Sequence, residues 1–301
     1  MNIHKECLLC SGSELVALPE FNKAQLVQCK ACDFVFCGPV PTPEELSIHY
    51  SWYPRNDDIS PITIKRYNEL LDGFEKYRKT GKILDVGCGN GHFLVVAKQR
   101  GWEVYGTEFS EEAVAIGIAK GINMLEGQLD VANYQPESFD VITSFEVLEH
   151  INNPIDEVNK FKALLRPRGL LYLTTPNFNS VLRYYLKEKW SVIEYPEHLT
   201  YYTASTLKKL MAGNGFAVER IYTTGISIGR LKAASAANKP SADNQSVGAA
   251  PAAPAPGFRQ VDEQLRSLEG NPLADVAKVT VNWLLNISRK GDALKGYFVK
   301  K

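Results

Sequence analysis

Three groups of residues in this chain have the types and spacing to do chemistry. The first is Lys82-Ile83-Leu84-Asp85-Val86-Gly87-Cys88-Gly89-Asn90-Gly91, a short apolar run entering a turn with glycine at every second position. Gly87 permits a tight turn, Gly89 lets backbone approach a ligand, and Gly91 allows close packing where a helix begins. Glu108 closes the next apolar run, Glu103-Val104-Tyr105-Gly106-Thr107, where a carboxylate can accept hydrogen bonds from both hydroxyls of a ribose. Together they read as a nucleoside-binding crevice at the mouth of a parallel sheet. Asp85 either orders the turn or meets an amino group of the ligand.

The second group is Cys7-Leu8-Leu9-Cys10 and Cys29-Lys30-Ala31-Cys32, two CxxC turns separated by 18 residues. Four thiolates close a tetrahedral site, and zinc is its ordinary occupant, in a structural role because no coordination position stays open. Cys37, after Phe34-Val35-Phe36, is spare and reads as a small buried side chain. The third group is Glu146, Glu149, His150 and His198. The i, i+3, i+4 spacing of Glu146, Glu149 and His150 puts them on one helical face if that segment is helical. Either histidine could act as a general base.

These groups need elements to position them. From Lys82 onward, apolar runs alternate with amphipathic segments: strands at 83–86, 104–107, 123–126, 139–144, 170–175 and 216–222, with helices between them. That pattern predicts an α/β fold with a mostly parallel sheet covered on both faces. Ser110 is placed to cap a helix through Ala119, and Arg166-Pro167-Arg168-Gly169 to stop the helix before it. Residues 1–40 form a ribbon whose strands are 15–18 and 25–28, and which is too small for a hydrophobic core of its own. A helical connector covers 41–78, including a short helix at Pro43 and the aromatic residues Tyr50, Trp52 and Tyr53, which could close over a ligand or pack. The main domain, 79–301, contains a mobile Ala/Pro/Ser-rich insertion at about 230–260 and a helical segment at about 261–289 before a last strand, 293–300. In that segment Leu273, Val276, Ala277, Leu284 and Ile287 share an apolar side, and Trp283 reads as core packing in preference to substrate or membrane contact.

Lysine plus arginine and aspartate plus glutamate number 34 each, so no global field favours nucleic acid. No apolar segment approaches a membrane span, nothing at the N-terminus reads as a signal peptide, and six cysteines are too few for a disulfide scaffold. A soluble, cytoplasmic protein is expected.

A glycine-rich turn also serves dinucleotide enzymes, but GxGxG lacks their third glycine spacing, and Asp85 replaces a common small residue. The motifs Leu84-Asp85-Val86-Gly87-Cys88-Gly89-Asn90-Gly91, Glu108, Phe139-Asp140-Val141-Ile142, Phe145-Glu146-Val147-Leu148-Glu149-His150 and Glu197-His198-Leu199-Thr200 resemble those of class I S-adenosylmethionine-dependent methyltransferases. The branch is that of ubiquinone-pathway and small-molecule or sugar methyltransferases. The resemblance covers roughly residues 80–225 and the final strand. It implies a Rossmann-like seven-stranded sheet whose last strand is antiparallel, and S-adenosylmethionine as cofactor. The donor site would comprise Asp85, Gly87, Cys88, Gly89, Gly91, His92, Glu108, Phe109, Gln128, Leu129, Ser144 and Phe145. Gln128 departs from the acidic residue usual at the adenine contact. His92 would line the donor site or simply sit on the first helix.

Two mechanisms are open for the acceptor. In one, His150 or His198 removes a proton while a carboxylate fixes its tautomer. In the other, Glu146, Glu149 and His150, with His198 as a further candidate ligand, hold a divalent ion such as magnesium, as in some relatives with a Glu-x-x-Glu-His motif. The leading expectation is O-methylation of a small molecule or sugar-containing metabolite, with N- or C-methylation as alternatives. A nucleic-acid methylating or binding protein with the ribbon as reader is disfavoured by the lack of a basic stripe. A non-enzymatic scaffold, or a carrier or partner protein docked on the ribbon, is the third class.

Overall fold

The computed structural model describes residues 2–42, 45, 59–227, 229–231 and 272–301. The aromatic stretch Tyr50–Tyr53, the helix expected at Pro43 and most of the segment between 230 and 271 lie outside the described residues. The ribbon contributes β1 (Leu15–Ala17), β2 (Leu26–Cys29) and β3 (Val35–Cys37). Next comes α1 (Pro61–Phe74), started by Ser60, whose side chain accepts from the Thr63 N–H, and by Pro61 at the first turn. The alternating unit then follows as β4 (Lys82–Val86), α2 (His92–Gln99), β5 (Glu103–Glu108), α3 (Glu111–Ala119), β6 (Asn123–Glu126), β7 (Phe139–Phe145), α4 (Pro154–Leu164) and β8 (Leu165–Pro176). After it come α5 (Val181–Leu186), β9 (Thr200–Tyr201), α6 (Ala204–Gly213), β10 (Phe216–Thr224), α7 (Pro272–Ser288) and β11 (Ala293–Lys300). Ser110 caps α3 as expected, accepting from the Ala113 N–H at 3.3 Å.

The main sheet has the order β10-β11-β8-β7-β4-β5-β6, with β8 through β6 parallel and β11 antiparallel to both neighbours. Buried residues cover both faces. Leu84, Ile142, Leu171 and Phe298 join α4 and α6 on one side, while Ile83, Val141 and Tyr172 meet Phe74, Phe93 and Leu94 on the other.

The helix before Arg166 ends at Leu164, close to the expected stop, but the stop residues themselves are strand. Arg166–Gly169 lies within β8, where pairing to β7 slips between Phe139 and Val141. The slip serves a buried charge: Arg166 Nε donates to Asp140 at 2.5 Å, and the same carboxylate accepts the N–H groups of Lys79, Thr80 and Gly81, each at 2.7 Å. Burial raises the Asp140 carboxyl, but the guanidinium and the three amides outweigh it and hold the acid below its ordinary range.

The ribbon has a third strand that its sequence did not announce, and β3 pairs with β9 from the main domain (Val35↔Tyr201, Phe36↔Thr200). Phe34 and Phe36 enter the main core, and Phe21, Leu26 and Val35 pack with Phe178, Leu182 and Trp190. The small segment thereby borrows the core it cannot build alone.

Trp283 is not core. It is 60% exposed; of the expected apolar side, Leu284 and Ile287 also face out while Leu285 faces in, and the side chains of Leu273, Val276 and Ala277 lie outside what the structure describes.

Candidate active site

Strand β4 delivers the glycine turn to the carboxyl end of the parallel sheet, where such folds bind ligands. Gly87, Gly89 and Gly91 all have positive φ, +70°, +53° and +72°. A β-carbon on Gly91 would meet Ile122 Cδ1 at 2.4 Å, whereas one on Gly89 would meet nothing within 4 Å. Gly91 is therefore a packing glycine, and Gly89 shows its backbone to open space. The turn is pinned to β5 by Gly87 N–H and Cys88 N–H donating to Thr107 O at 2.9 and 3.0 Å. Glu108 follows, its carboxylate accepting from Gly89 N–H at 2.9 Å, Phe109 N–H at 2.8 Å and Ser110 N–H at 3.3 Å.

Asp85 is buried inside the sheet and accepts from Thr143 Oγ1 on β7 at 2.7 Å. Burial pushes its carboxyl up to about 8; the Thr143 bond opposes this and the charge of Glu108 adds to it. Ser144, directly paired with Val86, is fully buried, and its Oγ has no hydrogen-bond partner. Phe145 joins a ring cluster with Tyr67, Phe93 and Tyr172. Phe109 and Gln128 are exposed, while Leu129 is buried in the core. Cys88 Sγ lies 3.7 Å from Met124 Sδ. His92 opens α2 and lines a cavity of about 470 Å³ with Ile59, Ile64, Val95 and Lys120.

The turn touches the acidic segment directly: a β-carbon on Gly87 would fall 2.5 Å from Val147 Cγ2. The expected helical face does not form there. Glu146 has φ +53°, its N–H donates to Thr174 O, and only Leu148–His150 makes a single 3-10 turn. Glu146 is exposed and outside the cluster that assembles. That cluster is Glu149, His150 and His198, whose candidate ligand atoms lie within 4.8 Å of one another.

The two imidazoles sit 4.8 Å apart between ring centroids. His150 Nδ1 is 2.6 Å from Glu197 O, and His198 Nδ1 is 2.7 Å from Val192 O. A carbonyl only accepts, so Nδ1 carries the proton in each ring and Nε2 is the basic nitrogen of the neutral form. Glu149 is buried, accepts from Thr175 Oγ1 at 3.0 Å, and leaves Oε1 without a partner. Burial, then the charge of Glu146, raises its carboxyl well above the usual range. Main-chain bonds lock the two histidine segments together: Leu199 N–H donates to Glu149 O at 2.8 Å, and Thr200 Oγ1 to Leu148 O at 3.1 Å.

Cys37 is not spare. Its N–H donates to Leu199 O at 2.8 Å and its thiol to His198 O at 3.2 Å, so the ribbon holds the His198 segment from behind. Neither Cys37 nor Thr175 carried a sequence signal, because each acts through a partner more than a hundred or about twenty-five residues away. In the ribbon, Cys7 and Cys32 sulfurs stand 3.5 Å apart and those of Cys10 and Cys29 3.6 Å, and all four cysteines gather within 4.8 Å. Zinc–sulfur bonds of about 2.3 Å at tetrahedral angles need sulfurs slightly under ~4 Å apart, so the cluster fits zinc.

The sequence profile of the family described as "Methyltransferase domain" matches residues 62–221, more than half of the chain. The chain belongs to this methyltransferase family. A ubiquinone biosynthesis O-methyltransferase of Haemophilus ducreyi is 32% identical over 143 residues, covering 42% of this chain and 60% of the relative. One of Idiomarina loihiensis is 30% identical over 155 residues, 46% and 62% of the two chains. The chain thus spans about 60% of the length of these curated relatives. Among solved structures, the phosphoethanolamine N-methyltransferase 2 of Haemonchus contortus in complex with S-adenosyl-L-methionine superposes with a TM-score of 0.50 at 17% identity, over 84% of this chain and 56% of that one. This likeness concerns the fold: a Rossmann-like class I methyltransferase sheet.

Proposed function

We propose that the protein is an S-adenosylmethionine-dependent methyltransferase that methylates a hydroxyl of a small-molecule or sugar-containing acceptor. The supporting observation is the contact between Gly87 and Val147, which sets the glycine turn against the segment bearing Glu149 and His150. The residues suit the donor: half-buried Gly89 has open space where a β-carbon would stand, Glu108 offers a carboxylate at the end of β5, and Ser144 an unpartnered buried hydroxyl. Bound there, the donor supplies an electrophilic methyl group on a sulfonium leaving group. Glu108 and the turn hold its nucleoside, and Asp85, Gly87, Cys88, Gly91, His92, Phe109, Gln128, Leu129 and Phe145 complete the assigned surroundings. Nε2 of His150 or His198 takes the acceptor's hydroxyl proton, and the Glu197 and Val192 carbonyls stabilise the resulting imidazolium through Nδ1–H.

A second reading uses the same side chains for a divalent ion such as magnesium, held by Glu149, His150 and His198 and lowering the acceptor's pKa. The four ribbon cysteines we assign to structural zinc, and the reduced thiols fit a cytoplasmic protein. Among the described residues no helix is long and apolar enough to cross a membrane.

Calorimetry with S-adenosylhomocysteine, then labelled donor with a panel of hydroxylated acceptors, tests this reading. His150→Gln and His198→Gln should cut transfer by roughly 10²–10⁴-fold while leaving donor-product affinity unchanged. Absence of donor-product binding overturns the proposal. Activity abolished by chelator and restored by magnesium selects the second reading.

A further inference from the structure

Neither imidazole is carried by a long regular element. His150 ends a single 3-10 turn, and His198 lies in turns and irregular chain before β9. What joins the two segments is a hydrogen-bonded rung that starts in the ribbon. Cys37 N–H, at the end of β3, donates to Leu199 O at 2.8 Å, and Leu199 N–H donates in turn to Glu149 O at 2.8 Å. Thr200, the register partner of Phe36, sends its Oγ1 to Leu148 O at 3.1 Å. Both main-chain groups of Leu199 are thereby used, one toward the ribbon and one toward the turn that bears Glu149 and His150. The ribbon sheet continues through β9 onto the first histidine segment.

Side chains on and beside β3 add two further holds. His198 O accepts twice, from the Cys37 thiol at 3.2 Å and from the Tyr201 hydroxyl at 3.2 Å, and both donors are buried. One donor would satisfy the carbonyl; two occupy both of its lone pairs and fix the direction of the His198 peptide plane. The second hold reaches the other histidine. His4 Nε2 donates to Asn152 Oδ1 at 2.9 Å, two residues after His150. His4 is itself tied to β3, its N–H donating to Gly38 O at 2.9 Å and its ring standing edge-on to Phe36 at 5.6 Å between centroids. Burying Phe34 and Phe36 would attach the ribbon to the main domain without any of these polar contacts. They fall on the two segments whose imidazoles stand 4.8 Å apart.

We propose that β3 and the chain paired beside it form a clamp that positions both imidazoles for methyl transfer, with Cys37 and Tyr201 setting His198 and His4 setting His150. The three are positioning residues, each acting through the segment that carries an imidazole. A misplacement of about 1 Å in a reacting group costs up to ~10²-fold in rate, so the clamp bears on turnover and not on the glycine turn that holds the donor. The consequence for turnover rests on the proposed methyl transfer; the effect on the imidazoles does not.

The test uses the full chain labelled with ¹³C/¹⁵N-histidine, its ring resonances assigned by His150→Gln and His198→Gln. Cys37→Ala/Tyr201→Phe removes both donors to the His198 carbonyl and should shift and broaden the His198 ring signals. Cys37→Ser, which keeps a donor at this position, should leave them near their wild-type places. His4→Ala should move the His150 signals, and His4→Gln, which can still donate to Asn152, should restore them. With labelled donor and the acceptor panel, Cys37→Ala/Tyr201→Phe should lose roughly 10–10²-fold in kcat, while S-adenosylhomocysteine affinity stays within about twofold. Melting curves show whether each variant is folded; should the double variant not fold, Cys37→Ala and Tyr201→Phe singly carry the same test with smaller shifts. Unchanged imidazole signals in the folded variants overturn the proposal. So does a loss of turnover that Cys37→Ser and His4→Gln share in full, or one matched by an equal loss of donor-product affinity, because either marks a general loss of structure. A wild type that binds no S-adenosylhomocysteine defeats the proposed function, and the imidazole signals still decide the clamp.

Discussion

Replacing Asp85 by asparagine tests whether the strand entering the glycine turn carries a buried, protonated carboxyl. The acid is 2% exposed, and burial raises it from 3.8 to about 8, with Thr143 opposing and Glu108 reinforcing the shift. A carboxyl whose folded value lies above its unfolded value contributes stability that is complete below the unfolded value and is lost as pH rises through the folded one. Between pH 6 and 8 the unfolded chain has already released this proton and the native protein still holds it. The slope is then about −1.4 kcal/mol per pH unit, flattening near 8, and the integrated loss is about 2 kcal/mol. Urea unfolding of the wild type at pH 6, 7 and 8 should show that loss superimposed on whatever other groups contribute. Asp85→Asn keeps the shape, accepts from Thr143 in the same way and cannot ionise, so the difference between the two proteins should shrink by about 2 kcal/mol over this range, in favour of the variant. Glu108→Gln removes the charge that helps raise Asp85 and should move the window to lower pH. Parallel pH dependences for wild type and Asp85→Asn would refute the reasoning. If the bound donor's ammonium group ionises Asp85, S-adenosylhomocysteine binding at pH 7 should also release close to one proton, read from calorimetry in buffers of different ionisation enthalpy.

Other outcomes follow from the same geometry. Gly89→Ala meets open space, so it should cost about 1–2 kcal/mol of backbone strain yet weaken donor-product binding, while Gly91→Ala should lose more stability through its 2.4 Å approach to Ile122 and recover part of it in Ile122→Val. Calorimetry and thermal melting separate the two. Elemental analysis should find one zinc per chain; Cys29→Ser should lose it and lower the melting temperature, because β2 and β3 anchor β9. Asp140→Asn strands the buried Arg166 guanidinium and weakens the cradle around three amides, and chemical denaturation should show a loss of about 3–5 kcal/mol.

The features legible in the sequence are those set by near neighbours. The strand–turn–helix of 82–99, the cap at Ser110, Glu108 at the end of β5, the two CxxC turns and the existence of a last strand all depend on periodicity, glycine placement or short spacing, whereas the antiparallel direction of that strand was implied only by the family resemblance. What required the tertiary structure joins distant segments. Glu146, Glu149 and His150 looked like one helical face, but Thr174 accepts from the Glu146 amide and the segment turns as 3-10, so of the candidates Glu149, His150 and His198 come together and Glu146 does not. Cys37 looked unused until β3 paired with β9. Arg166–Gly169 follow a helix that stops at Leu164 as their composition suggested, but only the structure shows that they lie in β8, beside a register shift and with Arg166 paired to Asp140. Trp283 and its neighbours have the apolar spacing of a core helix, and periodicity identifies such a stripe without saying which way it points. Only the tertiary structure shows that Asn282 and Asn286 bind backbone groups at the end of β10, that Leu285 is buried, and that Trp283, Leu284 and Ile287 are exposed.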